Sequence, residues 1–305
     1  MERVIAAIAQ GLSETNKQAP QSRRLFHGRG HCYPGLEAIN VDFHPGILLI
    51  TLYQAPAEQG YQQLVDYLVG EPNDLCVVVQ RRYLAQSPSE IIKGVLPEDC
   101  YAATDDMRFA LNIAGNQNIG YFLDMQTIHQ WLRDHAQGVS VLNLFSYTCA
   151  FSVAALKGGA RAVVNVDMSS GVLKTGQKNH QLNNLDSRAS RFMKLDILKS
   201  WGRIKKPAPY DLVVIDPPSN QRGSFVAEQD YGKVLRRIPQ LLGEQGQVLA
   251  CLNAPHLATD FLLELMAQEC PGCTLLQRFA ASEDFPEADP NCSLKVMLFS
   301  YQRQP

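Results

Sequence analysis

The 305-residue sequence does not contain the features that mark several specialised protein classes. No apolar run approaches the roughly 20 residues that a membrane-spanning helix needs. The first residues show neither the apolar core nor the cleavage pattern of a secretory signal, and neither an internal repeat nor a low-complexity tract is found. We therefore expect a cytoplasmic globular protein with no membrane-spanning role.

Cysteine and positive charge also follow no functional pattern. The eight cysteines have no framework spacing, so reduced thiols are expected. The single Cys-x-x-Cys, Cys270 to Cys273, has no second pair to complete a zinc site, so no metal is predicted. With a net charge of −2, the chain has no global basic surface for coating nucleic acid. The length instead suits a large α/β domain with a smaller partner.

The amino-terminal third predicts a small α+β domain. Its first residues have the spacing of a short amphipathic helix. The β-rich runs EAINVDF and ILLITLY, separated by His44-Pro45-Gly46, predict a hairpin; a helical pattern over 57–69 and the strand-like CVVVQRRYL follow. We expect an N-terminal helix over residues 1–22, a small domain with a substrate-binding role over 23–105, and the larger domain over 106–305.

From residue 138 onward, short apolar runs alternate with helical patterns. This alternation predicts a mostly parallel sheet with helices on both faces. Between the last two runs, ASEDFPEADPNC holds two prolines and several acids, so it predicts an antiparallel connection and not a crossover helix. The expected fold is a doubly wound α/β sheet of seven strands with an antiparallel last strand. The strand runs are VSVLNLF, AVVNVD, SRFMKLD, YDLVVIDPP, GQVLACLN, CTLLQRFA and SLKVMLFSY, with KVLRRIPQLLGE among the helices.

Polar residues follow the first three strands, at the edge where a doubly wound sheet binds its ligands. The first strand passes through Asn143 into Ser146-Tyr147-Thr148, a turn that offers backbone N–H groups to a polar ligand. Asp167, followed by Met168, is placed to accept hydrogen bonds from two ribose hydroxyls, and Asp196 to accept one from an adenine amino group. Either carboxylate would also serve as a helix cap, which is the alternative interpretation.

The fourth strand ends in Asp216-Pro217-Pro218 after an unbroken apolar run. Proline lacks an N–H group and has a fixed φ, so this segment is stiff and leaves backbone carbonyls facing the cleft. Those carbonyls, with the Asp216 carboxylate, are suited to hold the amino group of a planar base. A chance Asp-Pro-Pro loop is the alternative, and the preceding three acceptors at one per strand argue against it.

Together these segments resemble the bacterial large-subunit ribosomal RNA base methyltransferases, a class I S-adenosylmethionine-dependent family with cytosine-C5 and guanine-N7 members. The resemblance rests on VLNLFSYTCAFSVAALKGGARAVVNVDMSSGVLKTGQKNHQLNNL, LDIL and DLVVIDPPSN, and upstream on NIGYFLDMQ and GRGHCYPGLEAINVDF. It covers residues 23 to 300, without the amino-terminal PUA domain of some members. It implies S-adenosylmethionine as cofactor and RNA, ribosomal RNA in particular, as substrate.

The resemblance also implies a role for each residue that matches the family. Family members usually have glycine after Ser-Tyr-Thr, whereas Cys149-Ala150 here places Cβ atoms where close backbone approach to the ligand is expected. The implied cofactor contacts are Phe122, Asp124, Asn143, Ser146, Tyr147, Thr148, Asp167, Met168, Asp196 and Asp216. The implied borders of the methyl-transfer site are Asp216, Pro217 and Pro218.

The fifth strand distinguishes carbon from nitrogen methylation. Cytosine-C5 methylation needs a cysteine thiolate that attacks C6, and those relatives supply it just after this strand. Asn253 stands at that place here, and Cys251, two residues earlier in an apolar strand, is expected in the core. A nitrogen acceptor needs no covalent adduct, so methylation at nitrogen is predicted.

The substrate contacts expected on the RNA side are Asn253, Tyr231 and the arginines Arg23 and Arg24. The two arginines belong to a basic cluster with Arg29 and His31 that could grip phosphates, and solvated surface is the alternative for each. His180 and His256 have no identifiable partner and are interpreted as structural.

Two other functions stay open at this point. A nucleotide-dependent oxidoreductase is favoured by the acid after the second strand, although G-x-G-x-x-G is missing. A noncatalytic RNA-binding or ribosome-assembly protein with a degenerate methyltransferase fold is suggested by Cys149-Ala150. A homodimer is one option for the oligomeric state.

Overall fold

The computed structural model describes residues 1–15, 18–113, 115, 117–218, 220–221 and 225–304, with side chains undescribed at 220 and 221. The chain divides into two compact units, Met1–Asp124 with Ser282–Ala288 and Met125–Ala281 with Asp289–Pro305. The boundary expected from the sequence, at residue 106, lies inside the first unit. Among the described residues, every helix is too short or too polar to cross a membrane.

The first unit is built on a mixed five-stranded sheet, in the order β1-β2-β3-β4-β5, with a separate pair of short strands. The predicted hairpin is confirmed, since β2 and β3 pair antiparallel on either side of Pro45-Gly46. Its elements are α1 (Glu2–Glu14), β1 (Arg23–His27), β2 (Ile39–His44), β3 (Ile47–Leu52), α2 (Glu58–Gly70), β4 (Cys76–Arg81), β5 (Ser89–Lys93), β6 (Tyr101–Thr104) and β7 (Met107–Ala110).

Both faces of the central strands in this sheet are covered, which explains their continuous apolar runs. Leu48 and Ile50 pack with Val4 and Ile8 of α1 in one cluster that also includes α2 residues. Leu49, one position away on the opposite face, packs in a second cluster. The alternation of strand residues therefore divides this core into two layers.

The second unit holds the large sheet and its flanking helices. Its elements are α3 (Gln126–His135), β8 (Ser140–Leu144), α4 (Ala150–Lys157), β9 (Ala162–Asp167), α5 (Ser170–Leu182), β10 (Ser190–Lys194), α6 (Trp201–Ile204), β11 (Tyr210–Ile215), β12 (Asn220–Gln221), β13 (Phe225–Val226), α7 (Ala227–Leu235), α8 (Ile238–Leu241), β14 (Leu242–Leu252), α9 (Thr259–Glu269), β15 (Cys273–Phe279) and β16 (Lys295–Gln302).

The large sheet has the predicted architecture. Its order is β10-β9-β8-β11-β14-β16-β15, and β16 runs antiparallel to both of its neighbours, while the pairings from β10 to β14 are all parallel. Alternate residues face opposite layers: Val213 and Ile215 pack with α7, α8 and α9, whereas Leu212 and Val214 pack with α3 and α4. The doubly wound seven-stranded fold is therefore confirmed.

One predicted helix differs from the structure. KVLRRIPQLLGE was expected to be continuous, but α7 ends at Leu235, α8 spans only Ile238–Leu241, and Leu242 already begins β14. Pro239 stands in the first turn of α8. A proline there lacks the N–H group that would continue the α7 hydrogen bonds, and its ring would collide with the carbonyl four residues earlier.

Candidate active site

Four neighbouring strands of the large sheet, β10, β9, β8 and β11, are parallel and end at the same edge. The strand that follows β8 in the chain, β9, lies on one side of β8, and β11 lies on its other side. The strand order therefore switches direction at β8, and doubly wound sheets bind ligands at the carboxyl edge of such a switch. Asp167 is the last residue of β9, and Asp196 and Asp216 follow β10 and β11. With about 4.8 Å between neighbouring strands, the three carboxylates are distributed over roughly 15 Å of one edge.

The loop between β8 and α4 has an unusual backbone. Phe145, Tyr147 and Cys149 all have positive φ, at 57°, 46° and 64°. Non-glycine residues seldom adopt this left-handed conformation, and such residues concentrate at functional sites. Ser146 and Thr148 are only 6% and 3% exposed, so this loop can meet a ligand mainly through its backbone.

Asp167 connects two loops at this edge. Its Oδ2 accepts a hydrogen bond from the Tyr147 N–H at 2.9 Å, and its Oδ1 accepts one from the Ser169 N–H at 2.9 Å. Burial raises the pKa of Asp167, and these backbone donors oppose that rise. The cap of α5 is Ser169, whose hydroxyl accepts from the Val172 N–H. Each oxygen of Asp167 retains acceptor capacity for a further donor such as a hydroxyl.

The other two acids differ in their surroundings. Asp196 accepts a hydrogen bond from the Leu198 N–H at 3.1 Å and pairs with Lys199 at 3.0 Å, so it caps the short 3-10 turn that follows β10. Asp216 is half-buried directly after β11, followed by buried Pro217 and half-buried Pro218. Met168, beside Asp167, is 45% exposed.

Asn143 lies inside the sheet and not in the crevice. It is fully buried, and its side-chain amide donates to Asn165 Oδ1 at 3.1 Å. The Asn143 Oδ1 atom has no hydrogen-bond partner among the described residues. Its predicted contact with the cofactor stays a prediction.

His180 ends the hydrogen-bonded chain that begins at Asn143. Asn165 donates to the Ser152 hydroxyl at 3.1 Å, and that hydroxyl lies 2.8 Å from His180 Nε2. His180 Nδ1 lies 2.7 Å from the Gly176 carbonyl, which requires the proton on Nδ1 and makes Nε2 the acceptor. Burial lowers the pKa of His180, so the chain is neutral. It joins β8, β9, α4 and α5 beneath the crevice.

Cys149 does not obstruct the crevice. The residue adopts the left-handed conformation typical of glycine, and its side chain is fully buried. A Cβ atom added to Gly176 of α5 would collide with the Cys149 sulfur. The absence of a side chain at Gly176 thus provides the space that the extra atoms of Cys149 need.

A family model described as S-adenosylmethionine-dependent methyltransferase matches residues 23–300. The chain belongs to this family. Its cofactor is therefore S-adenosylmethionine, and the match gives no support to a nucleotide-dependent oxidoreductase.

Alignments with several similar proteins span most of this methyltransferase. Ribosomal RNA large subunit methyltransferase I from Erwinia tasmaniensis is 28% identical over 281 residues, which are 87% of this chain and 70% of that protein. A Bacillus subtilis protein provisionally named a ribosomal RNA large subunit methyltransferase is 26% identical over 86% of this chain and 69% of its own length. A solved Streptococcus mutans chain, provisionally described as SAM-dependent, has a TM-score of 0.84 at 24% identity, with 98% and 81% of the two chains covered. This last likeness shows the shared fold.

Tyr231 of the methyltransferase does not reach the surface, contrary to the sequence-based expectation of a substrate contact. It is fully buried, and its hydroxyl donates to the Cys251 carbonyl at 3.0 Å, with the Ile215 carbonyl at 3.5 Å. Those carbonyls belong to the ends of β14 and β11. Tyr231 is thus a positioning residue that holds two strand ends beside the crevice.

The end of β14 matches the sequence-based interpretation. Cys251 is fully buried, and Asn253 is the first exposed residue after the strand. Close by in the chain, exposed His256 lies 2.6 Å from Glu228 of α7. The sequence could not reveal this pair, because the two residues are 28 positions apart on separate elements.

Arg23 and Arg24, which the sequence predicted as phosphate contacts, both form ion pairs with carboxylates of the chain. Arg23 pairs with Glu14 at 3.1 Å and with Asp284 at 3.2 Å. Arg24 forms a two-pronged pair with Asp42, and the two side chains are only 12% and 11% exposed. Carboxylates of the first unit therefore already neutralise both guanidinium groups.

Phe122 and Asp124 are assigned to the first unit, at the end of its longer segment, Met1–Asp124. Phe122 is 41% exposed, and Asp124 lies in the 3-10 turn Leu123–Met125. Their predicted contact with the cofactor stays a prediction.

Proposed function

We propose that this methyltransferase modifies a base of ribosomal RNA at a nitrogen atom. The proposal of RNA is supported by the similar proteins, whose names specify the ribosomal RNA of the large subunit. The observation that carries the nitrogen assignment is the end of β14, where the accessible side chain is the amide of Asn253 and Cys251 is buried. Without a thiolate there, attack on a pyrimidine C6 has no nucleophile.

The residues of the crevice fit the cofactor. Asp167 can accept hydrogen bonds from both ribose hydroxyls, because each of its oxygens keeps capacity beyond one backbone N–H group. Asp196 is proposed to accept from the adenine amino group, and the strained backbone of 145–149 to hold the methionine end. Met168, beside Asp167, would add a further contact. When bound, S-adenosylmethionine supplies an electrophilic methyl group.

The substrate side is proposed to orient the acceptor nitrogen and exclude water. Asp216 and the carbonyls near it would accept hydrogen bonds from an amino or ring N–H group of the base, which directs a nitrogen lone pair at the methyl group. Pro217 and Pro218 stiffen this acceptor array. Asn253 would contact a second edge of the base, which must leave its stack to enter the crevice.

Mass spectrometry of nucleosides tests this proposal. RNA from cells that lack the protein is incubated with enzyme and cofactor, and we expect one nucleoside to gain a methyl group on nitrogen. Cys251→Ser and Cys292→Ser should yield the same product, because methyl transfer to nitrogen forms no covalent adduct with a thiol. Cys292 is included because it lies three residues before β16, whose first residue pairs with the end of β14. Cys273→Ser is the matched control, because Cys273 begins β15 at the opposite edge.

Two results would contradict the proposal. A carbon-methylated nucleoside whose formation is lost in either Cys251→Ser or Cys292→Ser, but not in the control, would show covalent catalysis. An enzyme that binds S-adenosylhomocysteine in calorimetry yet methylates no RNA would refute the RNA substrate.

A further inference from the structure

Three residues of the first unit gather at one edge of its five-stranded sheet. β1 and β3 both run antiparallel to β2, and β4 is parallel to β3, so β1, β3 and β4 end at the same edge. Arg29 follows β1 in the 3-10 turn Gly28–Gly30, Tyr53 follows β3, and Arg82 follows β4. We call these three residues the Arg-Tyr-Arg cluster.

Both guanidinium groups of the cluster lie over the tyrosine ring. The distance from the guanidinium carbon to the ring centroid is 4.5 Å for Arg29 and 5.3 Å for Arg82, within the range of cation–π contacts. A guanidinium that lies on a ring keeps its N–H edges available for an anion.

Buried polar contacts hold the cluster in place. Asn40, which is 2% exposed, accepts a hydrogen bond from the Arg29 backbone N–H at 3.4 Å and donates one to the Tyr53 hydroxyl at 3.4 Å. The Arg82 N–H donates to the Leu52 carbonyl at 2.8 Å. The cluster is therefore preorganised by the sheet and is not a chance encounter of surface side chains.

The charges of the cluster are uncompensated, unlike those of its neighbours. Arg23, Arg24 and Arg81 each pair with a carboxylate. Neither Arg29 nor Arg82 forms an ion pair within the part of the chain that the structure describes. Two unpaired positive charges beside a half-buried aromatic ring remain at this edge.

We propose that the Arg-Tyr-Arg cluster binds a single-stranded segment of RNA, an inference that rests on the proposed RNA substrate. The guanidinium edges would donate paired hydrogen bonds to phosphate oxygens. The outer flat face of a guanidinium group, whose inner face lies on Tyr53, would stack on an unpaired base, and stacking on arginine is one way in which proteins recognise single strands. An acidic peptide could satisfy the charges but would make no use of the stacking surface.

Fluorescence anisotropy with a labelled single-stranded RNA of about 12 nucleotides tests the cluster. Arg29→Ala and Arg82→Ala should each weaken binding by roughly fivefold or more. Each should also reduce the slope of log affinity against log salt by about 0.7, as expected for one lost phosphate contact on a single strand. Arg3→Ala is the matched control. Arg3, on α1, makes the same kind of contact outside the cluster, since its guanidinium carbon lies 4.6 Å from the centroid of the Tyr33 ring.

Variants of Tyr53 test whether RNA binding depends on the aromatic ring beneath the guanidinium groups and not on their charge alone. Tyr53→Phe keeps the ring and loses only the contact with Asn40, so it should lose less affinity than Tyr53→Leu, which should lose roughly fivefold or more while the circular dichroism spectrum stays unchanged. Equal affinity in these two variants, or competition by polyglutamate as strong as by unlabelled RNA, would overturn the assignment to single-stranded RNA.

The cluster and the proposed function fail in distinguishable ways. Unchanged RNA affinity in both arginine variants, in an enzyme that still methylates RNA, overturns the cluster alone. A wild-type protein that binds S-adenosylhomocysteine but neither binds nor methylates RNA overturns both. Calorimetry with S-adenosylhomocysteine should give wild-type affinity for every cluster variant.

Discussion

The two units place opposite charges at the carboxyl ends of their strands. In the second unit, Asp167, Asp196 and Asp216 lie at or just after the ends of three strands of the large sheet. In the first unit, Arg29 and Arg82 follow two strands of the smaller sheet, with Tyr53 after a third. In both units, strands that run in one direction collect residues that are distant in sequence at one edge.

In both units the carboxyl edge of the sheet brings side chains together, and the type of residue at that edge determines which ligand it suits. Carboxylates suit the hydroxyl and amino groups of a nucleoside, and arginines suit phosphates. The interiors differ as well, because the first unit buries the charged pair of Arg24 and Asp42, whereas the second buries the neutral chain from Asn143 to His180.

The largest expected effect concerns the buried ion pair of the first unit. Asp42→Ala should lower the free energy of unfolding by about 3–5 kcal/mol, because it leaves the Arg24 charge buried without its partner. Equilibrium urea unfolding measures this change. Glu14→Ala, which breaks the exposed pair with Arg23, should cost less than about 1 kcal/mol. Equal losses in the two variants would mean that Arg24 is solvated and open to RNA after all.

The next prediction concerns Asp167, at the carboxyl ends of the strands of the large sheet. Asp167→Ala should weaken binding of S-adenosylhomocysteine by about 1.5–3 kcal/mol, the range for lost hydrogen bonds to a charged group. Titration calorimetry gives the value. Asp186→Ala is the control, because Asp186 pairs with Arg188 in the turn before β10. An affinity that Asp167→Ala leaves unchanged would remove Asp167 from the cofactor site.

Cys149 and Gly176 test whether the cofactor loop depends on its neighbour in α5. Gly176→Ala should collide with the Cys149 sulfur, and overpacking of this kind costs about 1–3 kcal/mol. In a Cys149→Gly background the same change should be neutral or stabilising, by at most about 1 kcal/mol, since alanine favours a helix over glycine. A double-mutant cycle from urea unfolding reports the coupling, and additive effects would exclude the contact.

The smallest expected effect is the pH dependence of cofactor binding. The Asp167 carboxylate is ionised above its pKa, and its contribution to binding is lost as the pH falls through that value. Because burial raises the pKa of Asp167, the loss should begin at a higher pH than for an exposed aspartate. Calorimetry at decreasing pH should show this loss in the wild type relative to Asp167→Asn. Parallel curves for the two proteins would contradict the linkage.

The strands of the large sheet and their terminal acids could be predicted from the sequence. Most of these strands are short apolar runs, β9 and β11 close on an acid, and this pattern is local. The strand β1 was not predicted, because RRLFH has mixed polarity and obtains its conformation from packing. Helix α3 was also missed, although its buried residues Ile128, His129 and Leu132 have helical spacing.

Burial at the site could not be predicted in the same way. Tyr231 follows a polar loop and was expected to be exposed, yet its hydroxyl joins two strand ends in the core. Asn143 also lies in the core, where a second asparagine on β9 accepts its hydrogen bond. Both placements depend on elements that are close in space and separated along the chain.

The order of residues was sufficient to establish the doubly wound sheet and the acids at its strand ends, because apolar periodicity and turn residues act over a few positions. The folded chain alone settled which charges are neutralised. Arg23 meets Asp284 from 261 positions away, while Arg29 and Arg82 meet Tyr53 instead of a carboxylate. Electrostatic and steric compensation depend on distances in space, and no local pattern encodes them.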